Sequence, residues 1–247
     1  MPRRLSRPAL AGRIKFGTDG WRGIIADDFT FDNVRIVAQA VADYIRLDAP
    51  RSGGRKPSVV VGYDCRFLSG RFALAAAQTL RANGISVALS AEVVPTPVVS
   101  LLTRKRFSLG IMITASHNPP RYNGFKIKVG GRSSPEAVTA AVEARLGRTR
   151  PLFDGDIVIP TRSFKPDYFR YLKSRVSVPG ILAGLQRPVV IDCMHGAGSG
   201  LAAELLPSKK VLTIRDRHDP DFGGVHPEPI ACNLEALSQA VKRFRAM

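Results

Sequence analysis

The chain has 247 residues, 45% hydrophobic and 23% charged, a composition that excludes a disordered or fibrous protein and leaves room for one large domain or two ordinary ones. Its three cysteines, Cys65, Cys193 and Cys232, are odd in number and far apart, which argues against a disulfide framework or a structural zinc site and for a reducing, cytoplasmic setting. The net charge of +17 favours polyanionic partners, but the basic residues are spread along the chain with no zinc-finger, RRM or KH pattern, so the charge reads mainly as solvated surface and argues against nucleic-acid binding.

The first stretch, 1–12, reads as a basic tail. It has no apolar core, so it is not a secretory signal, and no run in the chain approaches the roughly 18 apolar residues that a membrane span needs. "RIKFGTDGWRGIIA" (13–26) predicts two short strands around a loop with Gly17, Gly20 and Gly23. Helical spacing of Val34, Val37, Ala38, Val41 and Ile45 predicts a helix over 30–47, capped by Thr30 or Asp32. "RSGGRKP" is a loop. "SVVVGYD" (58–64) is a continuous apolar run, as in a strand buried on both faces. A helix follows, with Ser69 near its N-cap and Gly84 as its stop.

The alternation continues with a strand "ISVALS", a short helix entered through Pro95 and Pro97, a strand "SLGIMIT", the segment "TASHNPPRYN", a strand "GFKIKV", and a helix capped by Ser134. Strand and helix in turn with short links predict an α/β fold: a three-layer α/β/α domain on a mixed, mostly parallel sheet. A composition break near residue 160 divides the chain into a first domain, 13–160, and a second, 161–247. The second repeats the pattern with two strands, "RPVVIDCM" and "KKVLTIR", and helices around "PDYFRYLKSRV", "GLAAELL" and "LEALSQAVKRF". It reads as an incomplete α/β/α domain of the same type.

The chemistry gathers at "TASHNPPRYNGFKIK" (114–128). Ser116 lies just past the carboxyl end of a strand, where ligands of open α/β sheets sit. A serine hydroxyl needs a base or prior activation to act as a nucleophile. His117 is adjacent, but the G-x-S-x-G elbow of a hydrolase is absent. Period two puts Lys126 and Lys128 on one face of their strand, and two ammonium groups beside a serine suit phosphate chemistry. The competing reading makes the lysines a solvated strand face and His117 and Asn118 ordinary turn residues. "GTDGWRG" adds glycines that allow close approach to an anion and Arg22, which can grip phosphate through two parallel N–H bonds. "HGAGSG" (195–200) reads as close helix–strand packing or, secondarily, as an anion cradle.

With these segments in hand, the chain resembles the α-D-phosphohexomutases, the phosphoglucomutase/phosphomannomutase family. The carriers are "FGTDGWRG" (16–23), "GYDCRFLS" (62–69), "PTP" (95–97), "TASHNPPRYNGFKIK", "DCMHGAGSG" (192–200) and "HPEPIACNLEAL" (226–237). The resemblance implies that Ser116 is a phosphoserine that gives and takes the phosphoryl group. It implies Lys126 as general acid/base on the sugar hydroxyl, with His117 supporting and Arg22 near the phosphoserine. It implies a reaction that moves phosphate between O1 and O6 of a hexose phosphate through a bisphosphorylated sugar. One Mg2+ per active site follows, with the Ser116 phosphate among its ligands, and an activator of the glucose 1,6-bisphosphate type. Trp21 and Thr114 look more like the glucose/mannose branch than the phosphoglucosamine branch. Family members run to about twice this length, and their "DGDADR"-type metal loop has no counterpart here. The expectation is therefore a truncated phosphohexomutase with no meaningful mutase turnover by itself. The alternatives are a non-catalytic remnant or binding module of the same fold and, behind these, a basic nucleic-acid-binding protein.

Overall fold

A computed structural model describes residues 3–4, 14–17, 20–47, 56–104 and 106–246. Most of the basic tail, the loop at 51–55, and Thr18 and Asp19 of the glycine-rich segment lie outside the described residues. The chain forms two compact units: one is Met1–Asp64, Leu68–Ala115 and Arg121–Ser163, the other Cys65–Phe67, Ser116–Pro120 and Phe164–Met247.

In the first unit, β2 (Trp21–Ile24), β3 (Ser58–Tyr63), β4 (Ser86–Ser90), β5 (Leu109–Ile113), β6 (Tyr122–Val129) and β9 (Thr161–Arg162) form a mixed sheet in the order β2-β6-β5-β3-β4-β9, with β7 (Arg132–Ser133) also on β6. The strands β5, β3, β4 and β9 run parallel, and β6 and β2 join antiparallel. Arg3–Arg4 (β1) pairs separately with Leu152–Phe153 (β8). The helices are α1 (Phe31–Leu47), α2 (Ser69–Ala82), α3 (Thr96–Leu102) and α4 (Glu136–Glu143).

Alternation along the strands sorts residues between two faces. Val59, Val61, Ile111, Ile113, Phe125 and Ile127 share one core with α1 and α2. There the Trp21 and Phe29 rings stack at 4.7 Å, and Phe29 meets Phe72 edge-on at 4.9 Å. The opposite face carries Gly62 and Gly110, where an added Cβ would strike Val99 of α3 at 2.5 and 2.7 Å. So α3 lies directly on the sheet because two strand positions lack side chains. Helices on both faces explain why every residue of β5 is buried.

Some local expectations differ from the structure. Among the described residues between 13 and 26 only β2 forms a strand; Gly17 and Gly20 make an isolated bridge instead. Thr30 does accept from the Asn33 N–H at 3.2 Å, as a capping residue should. Ser69 stands next to the N-cap Leu68, as expected, while the N-cap of α4 is Pro135 and not Ser134. Ser69 is buried and its hydroxyl is bonded to Asp64.

The second unit holds α5 (Lys165–Lys173), α6 (Val178–Gly184), β10 (Val189–Asp192), α7 (Leu201–Leu205), β11 (Val211–Ile214) and α8 (Glu235–Phe244). β10 and β11 pair in parallel, with Val189 opposite Val211. α6, which the pattern did not predict, begins at Ser177, whose hydroxyl accepts from the Gly180 N–H at 3.1 Å. Arg215 grips Asp192 with both Nε and Nη2 and donates also to the Asn233 carbonyl at 3.1 Å. Among the described residues no helix is long and apolar enough to cross a membrane.

Candidate active site

Ser116 follows Thr114 and Ala115 at the carboxyl end of β5, and it is exposed. Its φ of 61° lies in the left-handed region, which a residue with a Cβ seldom adopts. Ser116 Oγ is 3.4 Å from His117 Nδ1. That is long for a bond between a hydroxyl and a ring nitrogen, so the pair has contact but not the tight nucleophile–base geometry a hydrolase uses.

A residue that the sequence reading passed over sits beneath this loop. Arg66, 3% exposed, donates to the carbonyls of Ser116 at 2.8 Å, Asn118 at 2.6 Å and Pro119 at 2.8 Å. Its guanidinium also lies 4.9 Å from the Phe222 ring centre. The usable signal was an arginine between a buried strand and a helix start, at a place where a charge stays only if it is heavily bonded.

Arg22 and Lys126 come together on the sheet. Arg22 on β2 stands opposite Gly124 on β6, while Trp21 stands opposite Phe125. Trp21 and Phe125 face the apolar core, so Arg22, Lys126 and Lys128 share the other face, with Met112 opposite Lys126 and Gly110 opposite Lys128. The lysines do not form an open, solvated face, for Lys126 is 5% and Lys128 3% exposed. β6 is an interior strand and α3 packs on that side of the sheet, which covers the two lysines while Arg22 on β2 stays exposed. Lys128 Nζ donates to Ser133 Oγ at 2.9 Å.

Glycine makes this corner possible. A Cβ on Gly124 would meet the Thr114 carbonyl oxygen at 2.6 Å and Arg22 Cγ at 3.2 Å, and one on Gly20 would meet Lys126 Cα at 2.9 Å. Beside it, a buried network ties strand ends together: Asn123 Nδ2 donates to Ser69 Oγ at 2.9 Å, and Ser69 Oγ donates to Asp64 Oδ1 at 2.7 Å. Asp64 and Asn123 are thereby held at the ends of β3 and β6 that lead to the loops.

The glycines of "HGAGSG" make no close helix–strand packing, since a Cβ on Gly198 or Gly200 would meet nothing within 4 Å. The Gly200 N–H donates to Asp216 Oδ1 at 2.6 Å, so a carboxylate stands where an anion would have to bind. Burial would raise the Asp216 pKa, but bonds from the Cys193 thiol, the Gly200 N–H and Thr213, with the nearby His218, hold it below the ordinary carboxylate value. The Cys193 thiol is pushed up to about 12 by burial, by its bond to Asp216, and by the charges of Asp216 and Asp192. It is a half-buried donor at neutral pH and not a nucleophile.

The described residues bring together no group of three or more His, Cys, Asp or Glu side chains that could hold a metal ion. Among the described residues, then, no set of protein ligands for a Mg2+ ion is assembled.

Comparison with known proteins agrees with the fold. The family model for phosphoglucomutase/phosphomannomutase alpha/beta/alpha domain I matches residues 13–151, and that for domain II matches 166–247. A phosphoglucosamine mutase of Rhodococcus erythropolis (strain PR4) is 38% identical over 237 residues, which are 93% of this chain and 51% of the relative. One from Rhodococcus jostii (strain RHA1) is 36% identical, over 93% of this chain and 51% of its own. Among solved structures, a protein assigned as a phosphomannomutase of Thermus thermophilus superposes with a TM-score of 0.84 at 35% identity, over 92% of this chain and 52% of that one. The chain spans about half the length of the curated relatives it matches.

Proposed function

We propose that this chain, which belongs to the phosphoglucomutase/phosphomannomutase family, carries a phosphoryl group on Ser116 and exchanges it with a hexose phosphate. The observation that carries the reading is the exposed Ser116, held in a left-handed turn by bonds to its loop. In the transfer, Ser116 Oγ bonds to phosphorus as the bond from phosphorus to a sugar oxygen breaks, and the serine proton passes to the departing sugar hydroxyl. Lys126 serves as the proton carrier, and Arg22 on the same sheet face neutralises phosphate charge. A phosphoserine is already an activated donor, so no hydrolase triad is required.

The sugar has two readings. The glucose/mannose type follows from Trp21 and Thr114. The phosphoglucosamine type is favoured by the names of the curated relatives. The test is incubation with glucose 1,6-bisphosphate and, separately, glucosamine 1,6-bisphosphate, with the modified residue mapped by mass spectrometry. Phosphate should appear on Ser116 and vanish in Ser116→Ala. Lys126→Met should slow uptake by about 10²–10⁴-fold, the usual worth of a general acid/base. Phosphate on another residue, or none, would defeat the reading; the faster donor identifies the sugar.

A further inference from the structure

We infer that Arg66 is the positioning residue for Ser116: its planar fork sets the backbone of the loop from which the hydroxyl acts. The inference rests on the reading of Ser116 as the phosphoryl carrier. It concerns a side chain with no part in the proposed chemistry itself.

The argument begins with the loop sequence, "SHNPP" (116–120). The Asn118–Pro119 and Pro119–Pro120 peptides have no N–H, because proline supplies the nitrogen. Their carbonyls are acceptors with no accompanying donor, and one donor group can gather both. Arg66 does so, at 2.6 and 2.8 Å, and adds the Ser116 carbonyl at 2.8 Å. Three acceptors within four residues thus converge on one buried guanidinium.

The third acceptor matters most. The Ser116–His117 peptide is trans, so aiming its carbonyl at Arg66 aims the His117 N–H away from Arg66. The bond therefore fixes the ψ of Ser116 and the direction of a donor adjacent to the reacting hydroxyl. The left-handed φ of Ser116 costs of order 1–3 kcal/mol for a residue with a Cβ, so it persists only where surrounding bonds over-determine it. Arg66 supplies such bonds, and the Phe222 ring against its face restricts its own rotation.

Only arginine fits this role. Its donors radiate in one plane and can serve three acceptors at fixed angles, whereas a lysine ammonium is a compact point charge on a flexible stem. That difference separates positioning from simple charge. If Arg66 acted only by its charge, Arg66→Lys would retain most of the phosphoryl uptake. If it acts by geometry, Arg66→Lys and Arg66→Gln should both fail.

The experiment has two arms on the 247-residue chain. The first is NMR of the unsubstituted protein. The Arg66 Nη protons should be resolved and slow to exchange, with couplings across the hydrogen bonds to the carbonyl carbons of Ser116, Asn118 and Pro119. Averaged, rapidly exchanging Nη protons would overturn the inference. The second arm measures phosphate uptake from glucose 1,6-bisphosphate per folded molecule. Arg66→Lys and Arg66→Gln should each lose about 100-fold, as a misplacement of roughly 1 Å can cost. Uptake by Arg66→Lys close to that of the unsubstituted chain would overturn it. If the unsubstituted chain takes up no phosphate at all, the reading of Ser116 fails, and the NMR arm still decides whether Arg66 holds the loop.

Discussion

At the scale of single residues, the functional and the structural polar groups are distinguished by what holds them. Ser116 and His117, the candidates for meeting a ligand, are exposed, whereas Lys126 on its interior strand is buried. Cys193 is the opposite of the exposed pair, a thiol committed to Asp216. Its pKa is raised from its ordinary value near 9 to about 12, so the folded state holds the proton more tightly than the unfolded state does. Its stabilising contribution is complete below pH 9 and is lost as pH rises from about 9 to about 12. Tyr168 in the same unit, raised by burial and by Tyr171, adds a loss of the same sign. Melting temperature recorded against pH should fall through this window, and Cys193→Ala should make the fall shallower. An unchanged slope in the variant would remove Cys193 from the account. Iodoacetamide at about pH 8, below the ordinary thiol pKa, should correspondingly label exposed Cys232 and spare Cys193.

At the scale of elements, the site depends on close approach between strands, and glycine is what permits it. Gly124 is flanked by the backbone carbonyls of Thr114 and Trp21, at 2.6 and 2.9 Å from where a Cβ would sit. Both belong to neighbouring backbone that the sheet ladder holds in place, so neither can yield cheaply. Gly124→Ala should cost about 3 kcal/mol, the upper end of ordinary overpacking, and should slow phosphate uptake by displacing Arg22. Gly84 is the control. It closes α2 at φ 78° with nothing within 4 Å, so Gly84→Ala should cost only the left-handed strain of about 1–2 kcal/mol and leave uptake unchanged. Chemical denaturation of both variants, paired with the uptake assay, checks the contrast. Equal losses of stability and uptake in the two would refute the close-approach argument.

At the scale of the whole molecule, the two units differ in how much they bury. Every residue of β5 and four of the six in β3 are buried, whereas in β10 and β11 only Val190 is. A two-stranded sheet with little covered apolar surface is weakly stabilised. Hydrogen exchange followed by mass spectrometry should therefore show β10 and β11 exchanging well ahead of β3 and β5, and denaturant should open the second unit first. Uniform protection with one transition would contradict this. The same difference marks how far the sequence could be read. Most of the strand and helix order was legible because it rests on local periodicity and turn chemistry, which are properties of adjacent residues, and Ser116, Lys126 and Arg22 were singled out by their motifs. The amino-acid sequence by itself thus determined the α/β class, the family and the residues to examine. Only the tertiary structure decided that Lys126 and Lys128 are buried, that Asp216 takes the Gly200 amide, and that Arg66 clamps the serine loop from 50 residues away. The physical reason is that burial and long-range hydrogen bonds are set by which strands become interior and which loops meet, and no local pattern encodes that.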